Sequence, residues 1–403
     1  MKVKQLSDSQ GLSYLHLVML SLYAILLGVL VGLIDAVFGR VLIGLSEFRD
    51  HHLFYLVPAL PLAGLLIVYL YQKFAGKAAQ GMGLIFKVGH NEEDQVPLRL
   101  IPLVTVTTWL THLFGGSAGR EGVAVQLGAT VSHAFSRYFK LPNASRIFLT
   151  MGMAAGFGGL FQTPIAATFF ALEVLTLGQL SLPILVPTLI ASFVASTTSH
   201  LLGLEKFSHF VSESLTIDLG TFMKLALLGL AFGLAGNLFA YLLSLAKKKV
   251  ASLLPNPYYR VLLGSVVLTC LLLILWKGRY TGLGTNLIAL SVGGGTIYPL
   301  DWLLKLLLTV FTLSLGFQGG EVTPLFAIGA SLGAVLAPVL GVAGLGYLSV
   351  FGSSTNTLLA PIFIGVEVFG PANALPYAIV MAFAYLINHK TSIYGQQKML
   401  EMQ

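Results

Sequence analysis

Three long stretches without Asp, Glu, Lys or Arg constrain the fold of this chain more than any other feature of its sequence. They cover residues 147–172, 174–204 and 322–366. Each is longer than the roughly 20 apolar residues that a helix needs to cross a bilayer. Charged residues make up 10% of the chain, against about 25% in soluble domains. The sequence therefore predicts a polytopic integral membrane protein, which we expect to be a multi-pass protein of the cell membrane.

The N-terminus and the charge balance fit this prediction. Residues 1–10 are polar, and no small-residue cleavage site follows the first apolar stretch, so we expect no removable signal peptide. Lys2 and Lys4 favour a cytoplasmic N-terminus. Basic loops that face anionic lipid account for the net charge of +7, so we expect no nucleic-acid partner. The lysine run 247–249 is interpreted as a solvated loop contacting headgroups.

The metal-ligating residue types form no recognisable site. Cys270 is the single cysteine, which excludes a disulfide framework and a thiolate metal site. The nine histidines form no spacing such as HExxH. The apolar runs contain no acidic cluster that would suit a multivalent cation. We expect neither a metal nor a cofactor.

The hydrophobic stretches are unequal in length, and glycine or proline interrupts many of them. Non-helical backbone at membrane depth is tolerated only where protein or a cavity surrounds it. We therefore predict an all-α fold with broken and re-entrant helices lining a polar site. The longer stretches are 14–34, 53–71, 221–245 and 302–315, and two that are too short to span are 81–86 and 283–293.

An internal similarity relates the two halves of the chain. Residues 119–123 (GREGV) lead to LGA at 127–129, and residues 320–324 (GEVTP) lead to IGA at 328–330, an offset of 329 − 128 = 201. A proline and then a glutamate follow each block, Pro164 with Glu173 and Pro361 with Glu367. Chance could produce so weak a match. A true repeat predicts inverted halves, residues 1–210 and 211–403, with a transport site at their interface.

The glycine-rich openings before Val123 and Pro324 indicate helix starts, and helix N-termini that meet at membrane depth form an anion site. Glu121 lies in the first of them. A carboxylate at membrane depth is costly and is a functional candidate. When ionised it could occupy the anion site, and when protonated it could leave carrying a proton. The alternative is a structural pair with Arg120 near a bilayer edge, and Arg120 itself is assigned mostly to structure.

Residues 119–122 (GREG) resemble the GREG motif of the CLC family of anion channels and anion/proton antiporters. The resemblance implies that Glu121 is the external gate and proton carrier. It covers nearly the whole chain. Residues 320–324 resemble the second anion-binding motif GxFxP, and residues 161–164 through Glu173 resemble the family's segment that follows the gate. Tyr394 resembles the tyrosine that faces the anion. The resemblance also implies the CLC fold and a homodimer with one pathway per subunit, for which 181–202 could supply the interface.

Three departures from the chloride-transporting pattern narrow the resemblance. Met82 replaces the serine of the first anion motif GSGIP, Val322 replaces the phenylalanine of GxFxP, and Val174 occupies the place of the internal proton glutamate. This combination is similar to the fluoride/proton antiporter branch of the family. Thr323 and Tyr394 could donate hydroxyls to fluoride. Without the family pattern, Met82 would be a gap-filler, Thr323 a helix cap and Tyr394 an interfacial residue.

The predicted function is export of fluoride in exchange for protons, which would confer fluoride resistance. A CLC chloride/proton exchanger or a passive anion channel is the alternative. Because the chain ends soon after Tyr394, we expect no soluble regulatory domain. Besides Glu121, the predicted anion-binding residues are Gly81, Met82, Gly83, Gly119, Arg120, Gly122, Val123, Glu321, Val322, Thr323 and Tyr394.

An enzyme is a further alternative, because residues 115–119 (GGSAG) match the nucleophile-elbow pattern GxSxG. That pattern requires a strand-to-helix turn with an acid and a histidine as partners. Here the context is a break in a membrane helix, so we predict that the protein is not an enzyme. Labelling of Ser117 by a serine-directed probe would separate the two interpretations.

Overall fold

The computed structural model describes residues 12–141, 143–211, 214–336, 342–387 and 391–400, and these residues are mostly helical. The elements of the first half are α1 (Tyr14–His51), α2 (Leu53–Leu56), α3 (Leu60–Phe74), α4 (Met82–Gly89), α5 (Leu100–Leu113), α6 (Glu121–Ser136), α7 (Ala144–Phe161), α8 (Pro164–Glu173), the short strand β1 (Thr176–Leu177) and α9 (Leu185–Leu201).

The second half repeats the alternation of long and short helices. Its elements are α10 (Leu219–Leu253), α11 (Pro257–Ile274), α12 (Thr285–Val292), α13 (Asp301–Leu315), α14 (Val322–Leu336), α15 (Val342–Thr355), α16 (Leu359–Phe369), α17 (Ala374–Ile387) and β2 (Lys398–Met399). Strand β2 pairs with β1 in parallel. Short 3-10 turns cover Val57–Ala59, Gly76–Gln80, Leu182–Ile184 and Pro371–Asn373.

The helices include several that are long and apolar enough to cross a membrane. Six such segments lie within the described residues: Tyr14–His51, Leu53–Phe74, Ala144–Phe161, Leu182–Leu201, Leu219–Leu253 and Pro257–Ile274. Most of them carry large apolar side chains on an exposed face, whereas α7 is buried along most of its length. The chain is a multi-pass integral membrane protein of the all-α class, as predicted. The stretches around 81–86 and 283–293 are the eight-residue helices α4 and α12.

At two points, glycine lets a helix that carries predicted site residues pack directly against the backbone of a neighbouring helix inside the protein. At Gly128 of α6, a Cβ would collide with the backbone of Gly152 in α7. At Gly329 of α14, a Cβ would collide with the backbone of Gly346 in α15. Small residues let membrane helices approach closely where the hydrophobic effect offers no driving force between them. Each half thus holds its glycine-started helix against a neighbour in the same way.

A reciprocal pair of carboxylates joins α8 to α16. Glu173 at the end of α8 accepts hydrogen bonds from Leu358 N and Leu359 N (both 3.1 Å) and from Ala360 N (2.8 Å), at the start of α16. Glu367 of α16 in turn accepts from the backbone nitrogens at the start of α8, residues 165 (3.2 Å) and 166 (2.8 Å). A carboxylate at a helix N-terminus satisfies free N–H groups and complements the helix dipole.

The structure corrects the interpretation of the lysine run. Residues 247–249 lie inside α10, which continues to Leu253, and they are not in a loop. Lys247 lies 3.9 Å from the carboxylate of Glu321, one of the predicted site residues. No local sequence pattern predicts this contact, because Lys247 lies in α10 and Glu321 lies just before α14, far away along the chain.

The carboxylate caps predict a measurable loss of stability. Glu173→Ala leaves three N–H groups of α16 without their partner, so we expect the free energy of unfolding in detergent to fall by about 1–2 kcal/mol. The measurement is thermal unfolding of the purified protein, with Glu205→Ala at an exposed position as the control. Equal melting temperatures for the two variants would contradict the capping role of Glu173.

Candidate anion site

The two motifs of the sequence repeat meet through their backbones. Gly119 N donates to Gly320 O at 2.5 Å, and Gly320 N donates to Gly119 O at 2.7 Å. A Cβ on Gly119 would lie 2.8 Å from Pro324 Cδ and 2.9 Å from Gly320 O, so only glycine fits. Helices α6 and α14 begin immediately after this contact. Their N-termini therefore lie side by side inside the protein, where their free N–H groups and dipoles favour an anion.

Glu121 occupies that position. Its side chain is 1% exposed, and its Oε2 atom accepts hydrogen bonds from the backbone N–H (3.1 Å) and from the hydroxyl of Thr323. Its Oε1 atom lies 3.6 Å from Arg120 Nε. The carboxylate thus caps the helix of the other half and also lies within ion-pair distance of Arg120. Thr323 is a helix-start residue and also the donor to Glu121.

Two buried basic side chains lie near the loop that precedes Glu121. Lys305 of α13 is completely buried, and its ammonium donates to Ser117 Oγ (2.9 Å), Gly282 O (2.7 Å) and Tyr280 O (3.2 Å). Arg49 is also buried and donates to a backbone carbonyl of α5 at 3.0 Å. Sequence reasoning missed Lys305, although a single lysine within an apolar stretch at membrane depth is a signal of function.

Ser117 belongs to the hydrogen-bond network around Lys305. Its hydroxyl bonds to Thr309 Oγ1 at 2.9 Å and to Lys305 Nζ, and its backbone N–H donates to Thr312 Oγ1 at 3.2 Å. The loop lies between α5 and α6, so the match to GxSxG falls between two helices and not on a strand-to-helix turn.

A second group of predicted residues lines a cavity of about 390 Å³. Gly81 precedes α4 with a φ of 51°, a left-handed conformation that suits glycine, and Met82 is the first residue of that helix. Tyr394 is 5% exposed, and its ring stacks on Phe86 with centroids 5.1 Å apart. Its hydroxyl has no partner in the described part of the chain, so Tyr394 is a cavity residue and not a membrane-interface residue. Gly83 and Glu321 complete the predicted set in this lining.

Glu321 lies between the cavity and the helix start that carries Glu121. It lines the cavity with Lys247, and its Oε2 atom would lie 3.7 Å from a Cβ placed on Gly122. Gln126, one turn further along α6, also lines the cavity. Its Oε1 atom is buried without a partner among the described residues, and sequence reasoning missed it.

Val123, Val322 and Val174 carry buried apolar side chains. Val123 and Val322 are buried in the first turns of α6 and α14. Val174 is buried and offers a carbonyl that accepts from Gln397 Nε2 at 2.8 Å. The adjacent carboxylate, Glu173, is engaged with the start of α16.

Comparison with known proteins agrees with this fold. The family model "Voltage gated chloride channel" matches residues 63–389. The chain belongs to this family, the CLC family. It is 34% identical over 385 residues to a "Chloride/fluoride channel protein" of Pseudomonas syringae pv. tomato, an alignment that covers 93% of this chain and 85% of the relative.

Solved structures show the same fold. The crystal structure of a CLC-type fluoride/proton antiporter superposes with a TM-score of 0.94 at 52% sequence identity, covering 96% of this chain and 100% of the other. A slow cyanobacterial Cl-/H+ antiporter superposes with a TM-score of 0.79 at 19% identity, covering 91% of this chain and 93% of the other. The homologous proteins are transporters and channels.

The close approach at Gly119 predicts a sharp contrast between two glycines. In Gly119→Ala the new methyl group must displace Pro324 or the backbone of Gly320, so we expect a loss of about 1–3 kcal/mol in the free energy of unfolding. Gly395 lines the cavity, and a Cβ there would have no neighbour within 4 Å, so Gly395→Ala is the control. Thermal unfolding in detergent measures both, and an unchanged melting temperature in Gly119→Ala would contradict the packing described here.

Proposed function

We propose that this protein is a secondary transporter that exports fluoride in exchange for protons and so protects the cell against fluoride. The observation that carries the proposal is the position of Glu121. Its carboxylate lies buried at the N-terminus of α14 and takes the Thr323 donors that a bound anion would otherwise use. A residue that is both an occupant of the anion site and a proton acceptor couples the two ions.

The exchange follows from competition for the same donors. When ionised, Glu121 fills the site and blocks the anion path. When protonated, it loses most of its attraction to the helix N-termini and to Arg120, so a fluoride ion can replace it. When the protonated side chain then moves back, it carries the proton inward and releases it on the cytoplasmic side. Inward proton flow thereby drives outward fluoride flow.

Selectivity for fluoride rests on the hydrogen-bond donors along the path. Met82 at the start of α4 carries a thioether, which offers no donor. Thr323 and Tyr394 supply hydroxyls, and that of Tyr394 has no partner among the described residues and lines the cavity. Fluoride is small and strongly hydrated, so it needs several close donors to replace its water. The solved structure that is 52% identical to this chain is titled a fluoride/proton antiporter, which supports the same assignment.

The proton route on the cavity side does not depend on a glutamate at position 174. The cavity, at about 390 Å³, has room for several water molecules. Glu321 lies between this cavity and the first turn of α6. We infer that water and Glu321 carry the proton between the cavity and Glu121.

We also propose that the cavity faces the cytoplasm. Near the start of α1, Tyr23 packs edge-on against Phe139 beyond the end of α6, with centroids 5.1 Å apart. Lys398, just after Tyr394, pairs with Glu92 at 2.6 Å, beyond the end of α4. We infer from these contacts that the described start of α1 lies at the same end of the molecule as the cavity, so a cytoplasmic N-terminus would place the cavity on the cytoplasmic side. The cell membrane is then the site of action.

The assembly proposal is a homodimer of two-repeat subunits, the repeats being residues 1–210 and 211–403. The glycine bridge and the reciprocal caps of Glu173 and Glu367 support the division. Helix α9 carries exposed apolar side chains, among them Val186 and Phe193, which a second subunit could cover. The fluoride ion, protons and surrounding lipid are the other partners.

Glu121→Gln tests the coupling. Glutamine has nearly the same shape but cannot carry a proton, so we expect proton uptake driven by a fluoride gradient to fall to background. The measurement records internal pH and fluoride in proteoliposomes, with Glu205→Gln at an exposed position as the control. Fluoride-driven proton movement at the wild-type rate in Glu121→Gln would refute the proposed role of this residue.

Met82→Ser tests the selectivity. A serine hydroxyl at this position adds a donor of the kind that favours chloride, so we expect chloride flux to rise about tenfold relative to fluoride flux, the effect of about 1.4 kcal/mol. Met82→Leu adds no donor and should retain the wild-type selectivity. If the serine and leucine variants have the same ratio of chloride to fluoride flux, or if the wild type already carries both ions equally, the selectivity argument is wrong.

A further inference from the structure

Three consecutive lysines in α10 differ in what they face. All three are exposed, but Lys247 lines the cavity together with Glu321 and Tyr394, whereas Lys248 and Lys249 do not contribute to that lining. A helix advances by about 100° per residue, so only one of three neighbours can point into a narrow opening. The side chain of Lys247 remains 49% exposed, which places its ammonium at the mouth of the cavity.

The contact between Lys247 and Glu321 is loose. The nearest nitrogen and oxygen atoms are 3.9 Å apart, which is beyond hydrogen-bond distance. Ion pairs of this kind, with one partner half exposed, contribute little free energy. The ammonium has three donors and can exchange its partner for another anion at small cost.

The rest of the lining supplies hydrogen-bond donors and, at Gln126, a buried amide oxygen that has no partner among the described residues. Lys87 donates to Gln80 Oε1 at 2.8 Å, which leaves the NH2 group of Gln80 as the part that it can offer to an ion. The buried hydroxyl of Tyr394 has no partner among the described residues. Among the described residues that line the cavity, Glu321 is the single acid. This combination of a cation, an amide and a hydroxyl suits a small, hard monovalent anion.

We propose that Lys247 captures fluoride at the cytoplasmic mouth of the cavity and holds it there until Glu121 leaves the anion site. The inference rests on the transport function proposed above. Fluoride takes the place of Glu321 as the partner of the ammonium, and the freed Glu321 carboxylate is then available to the proton route. Lys247 sets the apparent affinity for fluoride on this side of the membrane, while the rate at saturation depends on Glu121.

The test compares Lys247→Gln with Lys248→Gln, a matched loss of the same charge one residue away. Inside-out and right-side-out membrane vesicles separate the two faces, and a fluoride electrode gives KM and the maximal rate. We expect Lys247→Gln to raise the KM for fluoride on the cytoplasmic side about fivefold at low salt, as for the loss of one partly exposed charge. The KM for fluoride measured from the extracellular side and the maximal rate should each change less than about twofold.

Two further measurements distinguish ion capture from a structural effect. Lys247→Arg keeps the charge and should restore most of the wild-type KM. Added inert salt should shrink the difference between the wild type and Lys247→Gln, because salt screens exposed charges. Equal KM values for Lys247→Gln and Lys248→Gln, or an equal rise from both sides, would overturn the capture role. A wild type that moves no fluoride would instead overturn the proposed function, and the two failures are therefore distinguishable.

Discussion

The hydrogen-bonded contact between Gly119 and Gly320 is the constraint on which the rest of the site depends. It brings the N-termini of α6 and α14 together inside a membrane protein, where partial positive charge and free N–H groups are otherwise scarce. No residue with a side chain fits at Gly119 without displacing Pro324. The close contacts at Gly128 and Gly329 hold the same two helices in place from behind. An anion site arises from backbone geometry before any charged side chain is considered.

Glu121 gives this site its chemistry. In the structure its carboxylate stands where a bound anion would stand, held by Thr323 and close to Arg120. The buried ammonium of Lys305 anchors the loop leading to it through Ser117. The cavity adjoins Glu321. In the proposed function this cavity gives the anion site access to the cytoplasm, and Glu121 couples the movement of a proton to that of an anion.

Much of this arrangement could be predicted from the sequence. Uncharged runs identified the membrane class, and the GREG and GEVTP blocks located both helix starts because glycine permits an irregular backbone, proline suits a first helical turn and a glutamate at membrane depth is costly. The end of α1 was missed, since Asp35 and Arg49 interrupt the apolar stretch that was expected to stop at residue 34 while the helix continues to His51. Lys247 and Lys305 were not assigned to the site either. Their roles depend on tertiary contacts across 74 and 188 residues, which no local pattern encodes.

The measurement that tests the central claim most directly is fluoride efflux from proteoliposomes containing the wild-type protein, with internal pH recorded and chloride run in parallel. The account predicts that fluoride leaving the vesicles draws protons inward, even against a proton gradient, and that chloride does so far less. Fluoride efflux without proton uptake would make this protein a channel and would contradict the role assigned to Glu121.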